Sequence, residues 1–130
     1  MKKTITILLV LLLGIIELSL VLFNKAMITN ASREGARAAI VYDEPRLDEA
    51  AITTVVNNYC QDHLITFGSA TPVTDAVPDN CPAAAASGTS ITVTVDYQYD
   101  WLILPNLKYA NSLVGFAPVN LSAITVMRCE

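Results

Sequence analysis

The sequence predicts an α+β protein: a long N-terminal transmembrane or stalk helix, then a small head in which a second helix packs on an antiparallel sheet. Two observations predict this class. An apolar run of 20 residues lies near the N-terminus, and of two later strand-like segments one alternates apolar and polar residues and the other is β-branched. We predict a membrane-anchor helix at 1–23, an extracytoplasmic continuation of the helix at 24–44 and the head at 45–130.

The anchor is predicted from residues 4–23, of which 15 are apolar and one, Glu17, is charged. A helix of this length is about 30 Å long, which matches the hydrocarbon core of a bilayer. Lys2 and Lys3 precede the run, so the positive-inside rule places the N-terminus in the cytoplasm and the rest of the chain outside it. The alternative is a cleaved signal peptide, which fits less well because the run is long and no Ala-x-Ala-like site follows Phe23.

Glu17 is the unusual residue of the anchor. A carboxylate at this depth costs at least about 2 kcal/mol unless it is paired or faces protein. Lys3 is too far away to pair with it, at about 20 Å along the same helix. We therefore predict that a neighbouring chain satisfies Glu17 and that the residue acts in assembly. The alternative is a protonated or water-reaching carboxyl on a lone anchor.

The helical pattern continues after the anchor without a proline until Pro45, which disfavours helix in the preceding residue and predicts an end by Asp43 or Glu44. Small residues recur at a spacing of four, a pattern that lets another backbone approach closely. Glu34 and Arg37 are spaced to pair at i, i+3. The polar residues are interpreted either as a solvated face or as inter-subunit pairing groups. The small residues are Ala31, Gly35 and Ala39, and the polar ones are Asn30, Arg33, Glu34 and Arg37.

The head is predicted to contain one helix and three strands. The periodicity of 46–63 indicates a helix that carries acidic residues in its first turn. Residues 91–99 alternate with Ile91 and every second residue after it on one face, and 119–128 is a second, β-branched strand. A stable sheet needs more than two strands, so we expect a third within 64–77. The apolar run at 101–104 is predicted to belong to the core.

Composition excludes several functions. With 8 Lys and Arg against 12 Asp and Glu, the chain lacks the cations that nucleic-acid binding requires. His63 is the single histidine and no cysteines have CxxC spacing, so zinc is not expected. The acidic loop at Asp75 and Asp79 matches no EF-hand. We predict no catalytic group, no cofactor, no metal and no small-molecule substrate.

Three cysteines fall on the exported side of the predicted anchor, where disulfides persist. Sequence does not decide their pairing. We favour Cys60–Cys81, which closes a loop of about 20 residues and contributes about 3 kcal/mol in the chain-entropy model. That pairing leaves Cys129 as a buried thiol, and the main rival is Cys60–Cys129.

The segment GIIELSLVLFNKAMITNASREGARAAIV, residues 14–41, resembles the N-terminal signature of TadE-like proteins, the minor pilins or pseudopilins of the tight-adherence (Flp, type IVc) pilus. The C-terminal LSAITVMRCE is also similar to the way these proteins end. Family members usually carry a basic leader and a prepilin-peptidase site upstream, where this chain has Met1, Lys2 and Lys3. We therefore expect a plain signal anchor. The motif is carried by Glu17, Asn30, Ala31, Arg33, Glu34, Gly35, Ala36 and Arg37.

The resemblance implies a pilin-like structural subunit that assembles through its N-terminal helix into a surface filament for adhesion. Its partners would be other pilin subunits and the pilus assembly machinery, first in the bacterial inner membrane and then at the cell surface. A second hypothesis is a monomeric membrane-anchored module whose extracytoplasmic head binds a ligand. The predicted assembly residues are Gly14, Glu17, Asn30, Ala31, Arg33, Glu34, Gly35 and Arg37.

Overall fold

The protein has the predicted α+β architecture. The computed structural model describes residues 1–41, 45–66, 77–78, 81, 88–102 and 117–130. The elements in chain order are α1 (Lys2–Ile40), α2 (Glu49–His63), β1 (Val77–Pro78), β2 (Ser90–Tyr99) and β3 (Val119–Arg128).

The sheet is antiparallel, with strand order β1-β2-β3. β2 and β3 pair along their whole length, from Ser90 opposite Arg128 to Tyr99 opposite Val119. Every second residue of β2 from Ile91 onward is buried, as the alternation predicts. A third strand was expected within 64–77, and β1 begins at the end of that range, at Val77. Residues 67–76 lie outside the described residues.

Both helices have ends that differ from the prediction. α2 begins at Glu49 rather than at 46, because Asp48 is its N-cap and accepts a hydrogen bond from the Ala51 N–H at 2.8 Å. α1 ends at Ile40, before the predicted end, and Val41 has extended backbone. The β-branched pair at 40–41 favours extended geometry more than helix. Residues 42–44 lie outside the described part of the chain.

The second half of α1 packs against the rest of the molecule, where it contacts α2, β2 and β3. Its buried residues recur every three or four positions, which places them on one face of the helix. This face begins at Glu17, and every residue before 13 is exposed. The buried residues are Glu17, Asn24, Ile28, Ala31, Ser32, Gly35, Ala36 and Ala39.

The predicted disulfide is wrong, because the structure joins Cys81 to Cys129 with a Cα–Cα distance of 6.0 Å. Cys60 is a buried free thiol. The reason is the direction of α2. Ile52 packs in the same cluster as the disulfide, and Cys60 lies eight residues further along, about 12 Å away at 1.5 Å per residue. The rival pairing of Cys60 with Cys129 is wrong for the same reason.

Candidate functional site

The first half of α1 has an apolar surface that nothing in the described part of the chain covers. Leu8 is 70% exposed and Ile7 is 69% exposed, although both are large aliphatic side chains. By length and composition, α1 is able to cross a membrane, and it is the one helix among the described residues that meets this test. This surface needs lipid or other helices around it, because burying one such side chain is worth about 1.5–3 kcal/mol.

The exposed surface of α1 changes character along the helix. On the side away from the head, Leu11, Ile15, Leu18 and Leu22 are each more than half exposed and follow one another at a helical spacing of three or four. Further along, the exposed side chains are charged, at positions 33, 34 and 37. The outward side of α1 is therefore apolar near the anchor and charged beside the head.

Glu17 is fully buried at the point where the head meets α1. Its Oε1 accepts a hydrogen bond from the Tyr99 hydroxyl at 2.9 Å and another from the Leu102 N–H at 2.7 Å. Burial raises the pKa of Tyr99, and the neighbouring Glu17 raises it further, so the hydroxyl stays protonated as a donor. The partner that we expected from a neighbouring chain is supplied by the chain's own head.

A second buried polar residue of α1, Asn24, holds the end of α2 in place. Its Nδ2 donates to the Ile65 carbonyl and its Oδ1 accepts from the Ile65 N–H, both at 3.1 Å. This contact was not predicted from the sequence. The signal was present, since Asn24 follows Glu17 by seven residues and therefore lies on nearly the same side of the helix.

Two further contacts join α1 to β3. The Ser32 hydroxyl and the Thr125 hydroxyl are 2.7 Å apart and share a hydrogen bond. The Lys25 Nζ donates to the Ser122 carbonyl. The head is thus attached to α1 by polar contacts at several levels, in addition to apolar packing.

The small residues of α1 do permit a close approach, and the approaching surface belongs to the same chain. A Cβ added at Gly35 would lie 2.5 Å from Val56 Cγ2 and 3.5 Å from Val93 Cγ1. Ala31 and Ala36 are also fully buried within the chain. The close packing predicted between subunits is therefore used between α1, α2 and β2.

The predicted assembly residues fall into three groups in the structure. Glu17, Ala31 and Gly35 are buried, and Gly14 and Asn30 are half-buried. Arg33, Glu34 and Arg37 are exposed. The structure brings the buried ones into contact with the head and leaves the exposed ones on the outward side of α1, available to other molecules.

The described residues hold no cluster of three or more His, Cys, Asp or Glu that could bind a metal ion. Cys60 is enclosed by apolar groups, and this burial raises the pKa of its thiol to about 11. A thiol with so high a pKa is poorly nucleophilic at neutral pH. Cys60 therefore acts as a small apolar core residue.

Comparison with known protein families finds a match in the N-terminal helix. The family model described as TadE-like protein matches residues 4–37, which includes the exposed half of α1, Glu17 and the charged positions. This match confirms the resemblance seen in the sequence. No curated protein and no solved structure matches the chain.

Proposed function

We propose that this chain, a TadE-like protein by its N-terminal helix, is a structural subunit of a Tad-type pilus that joins other pilin subunits through α1. The family suggests a Tad pilus-associated pseudopilin, which is a structural rather than a catalytic role. The observation that carries the proposal is the uncovered apolar surface of α1 before Glu17, because it lies within the matched segment. This surface is embedded in the inner membrane first and packs against like helices afterwards.

The outward side of α1 supports helix-to-helix packing beyond the anchor. The apolar stripe at 11, 15, 18 and 22 continues past Glu17, alongside the head, so a neighbouring helix can pack there while the head stays docked. In the absence of water, such packing depends on van der Waals contact along matched surfaces. The apolar stripe is thus the proposed subunit interface.

The exposed charges give the proposed interface its register. Arg33, Glu34 and Arg37 lie on the outward side of α1 beyond the stripe. Opposite charges on an adjacent subunit fix how far one helix is shifted along the other, while like charges oppose the wrong shift. Glu17 takes part indirectly, since it holds the head against one side of α1 and leaves the other side open. Adhesion by the assembled filament is the cellular role that we infer.

Cysteine cross-linking in the native host tests this proposal. In a Cys60→Ala background, Leu11→Cys or Leu18→Cys places a thiol on the proposed interface, and Gln98→Cys places one on the outer face of the sheet as a matched exposed control. We expect oxidation to give disulfide-linked dimers and higher oligomers for the first two variants, in the membrane and in sheared surface filaments. The control should give little.

A monomeric anchored binding module predicts a different result. Its interface variants would stay monomeric, the protein would be absent from sheared filaments, and deletion of the gene would leave piliation unchanged. Substitution of Arg33, Glu34 and Arg37 by alanine gives a second readout. We expect these variants to keep the folded head and reduce the yield of filaments, and normal yield would refute the role of these charges in register.

A further inference from the structure

The contact with Glu17 places one corner of the head at an unexpected level of the anchor. We define the β2 corner as Tyr99, Trp101 and Leu102, the residues at and just beyond the C-terminal end of β2. Glu17 precedes Phe23 by six residues, about 9 Å along a helix. Since residues 4–23 are the length that matches the hydrocarbon core, the β2 corner lies well below the outer end of that segment.

We propose that the β2 corner is a membrane contact, seated in the interfacial layer of the phospholipid bilayer that α1 crosses. This inference goes beyond the proposed role in a pilus and needs only that α1 is in a membrane. On the side of α1 that faces the head, lipid extends to the level of Glu17, where protein replaces it. On the other side the apolar surface continues to Phe23, which is 40% exposed.

The chemistry of the corner fits an interfacial layer. Tyr and Trp are enriched at the level of the lipid headgroups, because their rings are apolar and their polar atoms need partners. Trp101 packs edge-on against Tyr99, with ring centroids 6.0 Å apart, and its Nε1 donates to the Ala117 carbonyl at 2.7 Å. Tyr99 is itself buried, with 4% of its surface exposed, and supports the ring of Trp101. Trp101 and Leu102 are half-buried and are the two residues of the corner that lipid can reach.

Two further observations limit the depth. Asp100 is exposed between these residues, and its carboxylate is incompatible with the hydrocarbon core but acceptable among headgroups. The sequence that joins Leu102 to Ala117 contains 14 residues and a single charged one, Lys108. The corner therefore belongs at the boundary between acyl chains and headgroups, and the local membrane thins or the helix tilts to accommodate it.

The chain carries its own probe, because Trp101 is its only tryptophan. The full-length protein is reconstituted into vesicles of phosphatidylcholine and phosphatidylglycerol that contain lipids brominated at different depths. We expect bromine near the headgroup end of the acyl chain to quench Trp101 at least about twofold more than bromine near the terminal methyl, as for an interfacial indole. Acrylamide in the water should quench it weakly.

Two results would overturn the proposal. Strong acrylamide quenching with no effect of brominated lipid means that the head stands clear of the membrane. Protection from both quenchers means that protein, such as a second copy of the chain, covers the corner instead of lipid. As a depth reference, Phe23→Trp in a Trp101→Phe background reports the outer end of the segment. We expect that indole to be no deeper than Trp101, and a clearly deeper one would also refute the placement.

Variants of the contact show whether Glu17 holds the corner in place. Glu17→Leu removes the acceptor, and we expect acrylamide quenching of Trp101 to rise by about twofold or more as the corner leaves its site. Glu17→Gln is the matched control because it keeps a side-chain oxygen, and it should resemble the natural protein. If Glu17→Leu does not fold, Tyr99→Phe keeps the ring and removes one donor, with a smaller rise expected. Unchanged quenching in both variants would refute this placement mechanism.

Discussion

The two halves of α1 belong to one uninterrupted helix and have opposite surroundings. None of residues 2–16 is buried in the chain, whereas the half from Glu17 to Ile40 buries eight residues on one face. Gly14 and Gly35 show the contrast most simply. An added Cβ at Gly14 meets nothing within 4 Å, and at Gly35 it collides with Val56.

The difference teaches that helix formation and helix packing are set by different residues. Both halves are helical because neither contains a proline or a run of helix breakers. Only the second half has small and polar residues between its exposed residues. α2 and the sheet pack on those small and polar residues. The first half has large aliphatic side chains on every side, which no small head could bury.

The largest effect should come from the disulfide, which stabilises the head and the second half of α1 that packs against it. Cys81 and Cys129 are 48 residues apart, and a loop of that size corresponds to about 4 kcal/mol in the chain-entropy model. We expect the Cys81→Ser, Cys129→Ser double variant to lose about this much free energy of unfolding, measured by urea denaturation in detergent with Trp101 fluorescence. Amide exchange should quicken in 17–40 and stay the same in 2–16. A disulfide-linked peptide that contains Cys60, found by non-reducing peptide mapping, would contradict the observed pairing.

Glu17 lies where the two halves of α1 meet, and its substitution should weaken the packing of the head on α1 at that point. Glu17→Leu deprives the Tyr99 hydroxyl and the Leu102 N–H of this acceptor, and two such bonds amount to about 3 kcal/mol. Glu17→Gln should lose less than half as much. The check is urea denaturation of the two variants side by side, and equal losses would mean that the charge rather than the oxygen acceptor matters.

Alkaline pH should lower the free energy of unfolding of the head and of the second half of α1, because the buried Cys60 thiol ionises. Its thiol pKa is about 11 in the folded chain and 9.0 ordinarily, so the thiol stays protonated to a higher pH in the folded state than in the unfolded state. The resulting stability is present below pH 9 and is lost as the pH rises towards 11, a total of about 2.7 kcal/mol. Cys60→Ala should remove this part of the decline, relative to its own stability at pH 8. An identical decline in the two proteins would refute the assignment.

The smallest effect compares the two glycines directly. Gly35→Ala should lose about 1 kcal/mol, because overpacking against Val56 outweighs the gain in helix propensity. Gly14→Ala should leave the unfolding of the head unchanged. The double variant Gly35→Ala, Val56→Ala tests the cause, since the alanine at 35 should then be tolerated. If Val56→Ala does not reduce the stability loss caused by Gly35→Ala, the steric conflict involves a different neighbour.

Much of the fold was predictable from local pattern. The alternation of β2 and the β-branched run of β3 mark both strands, since one face of each is buried. The bounds of β3 are as predicted, and β2 begins at Ser90, one residue before the predicted start. The start of α2 was misplaced by three residues because Asp48 was read as part of the first turn rather than as its cap. The disulfide could not be found from spacing, because the direction of α2 decides which thiol reaches Cys129.

The candidate site was predictable only in part, for a similar reason. The TadE-like motif singled out Glu17, Gly35 and the exposed charges, and all of them lie within the matched residues 4–37. It did not reveal that Glu17 and Gly35 contact the head of the same chain, because those contacts join residues far apart in sequence. Local patterns show that a buried polar group needs a partner, and only the fold shows which one.

The sequence distance between Glu17 and its partner has a consequence for biosynthesis. Tyr99 lies 82 residues after Glu17, so α1 is synthesised well before the residue that donates to its carboxyl group. Ser32 donates to the Thr29 carbonyl within its own helix, and its second partner, Thr125, lies 93 residues downstream. On the route through the membrane proposed above, α1 enters the bilayer before the head can supply a donor to Glu17. Synthesis order, and not only final stability, thus shapes what residues this helix can carry.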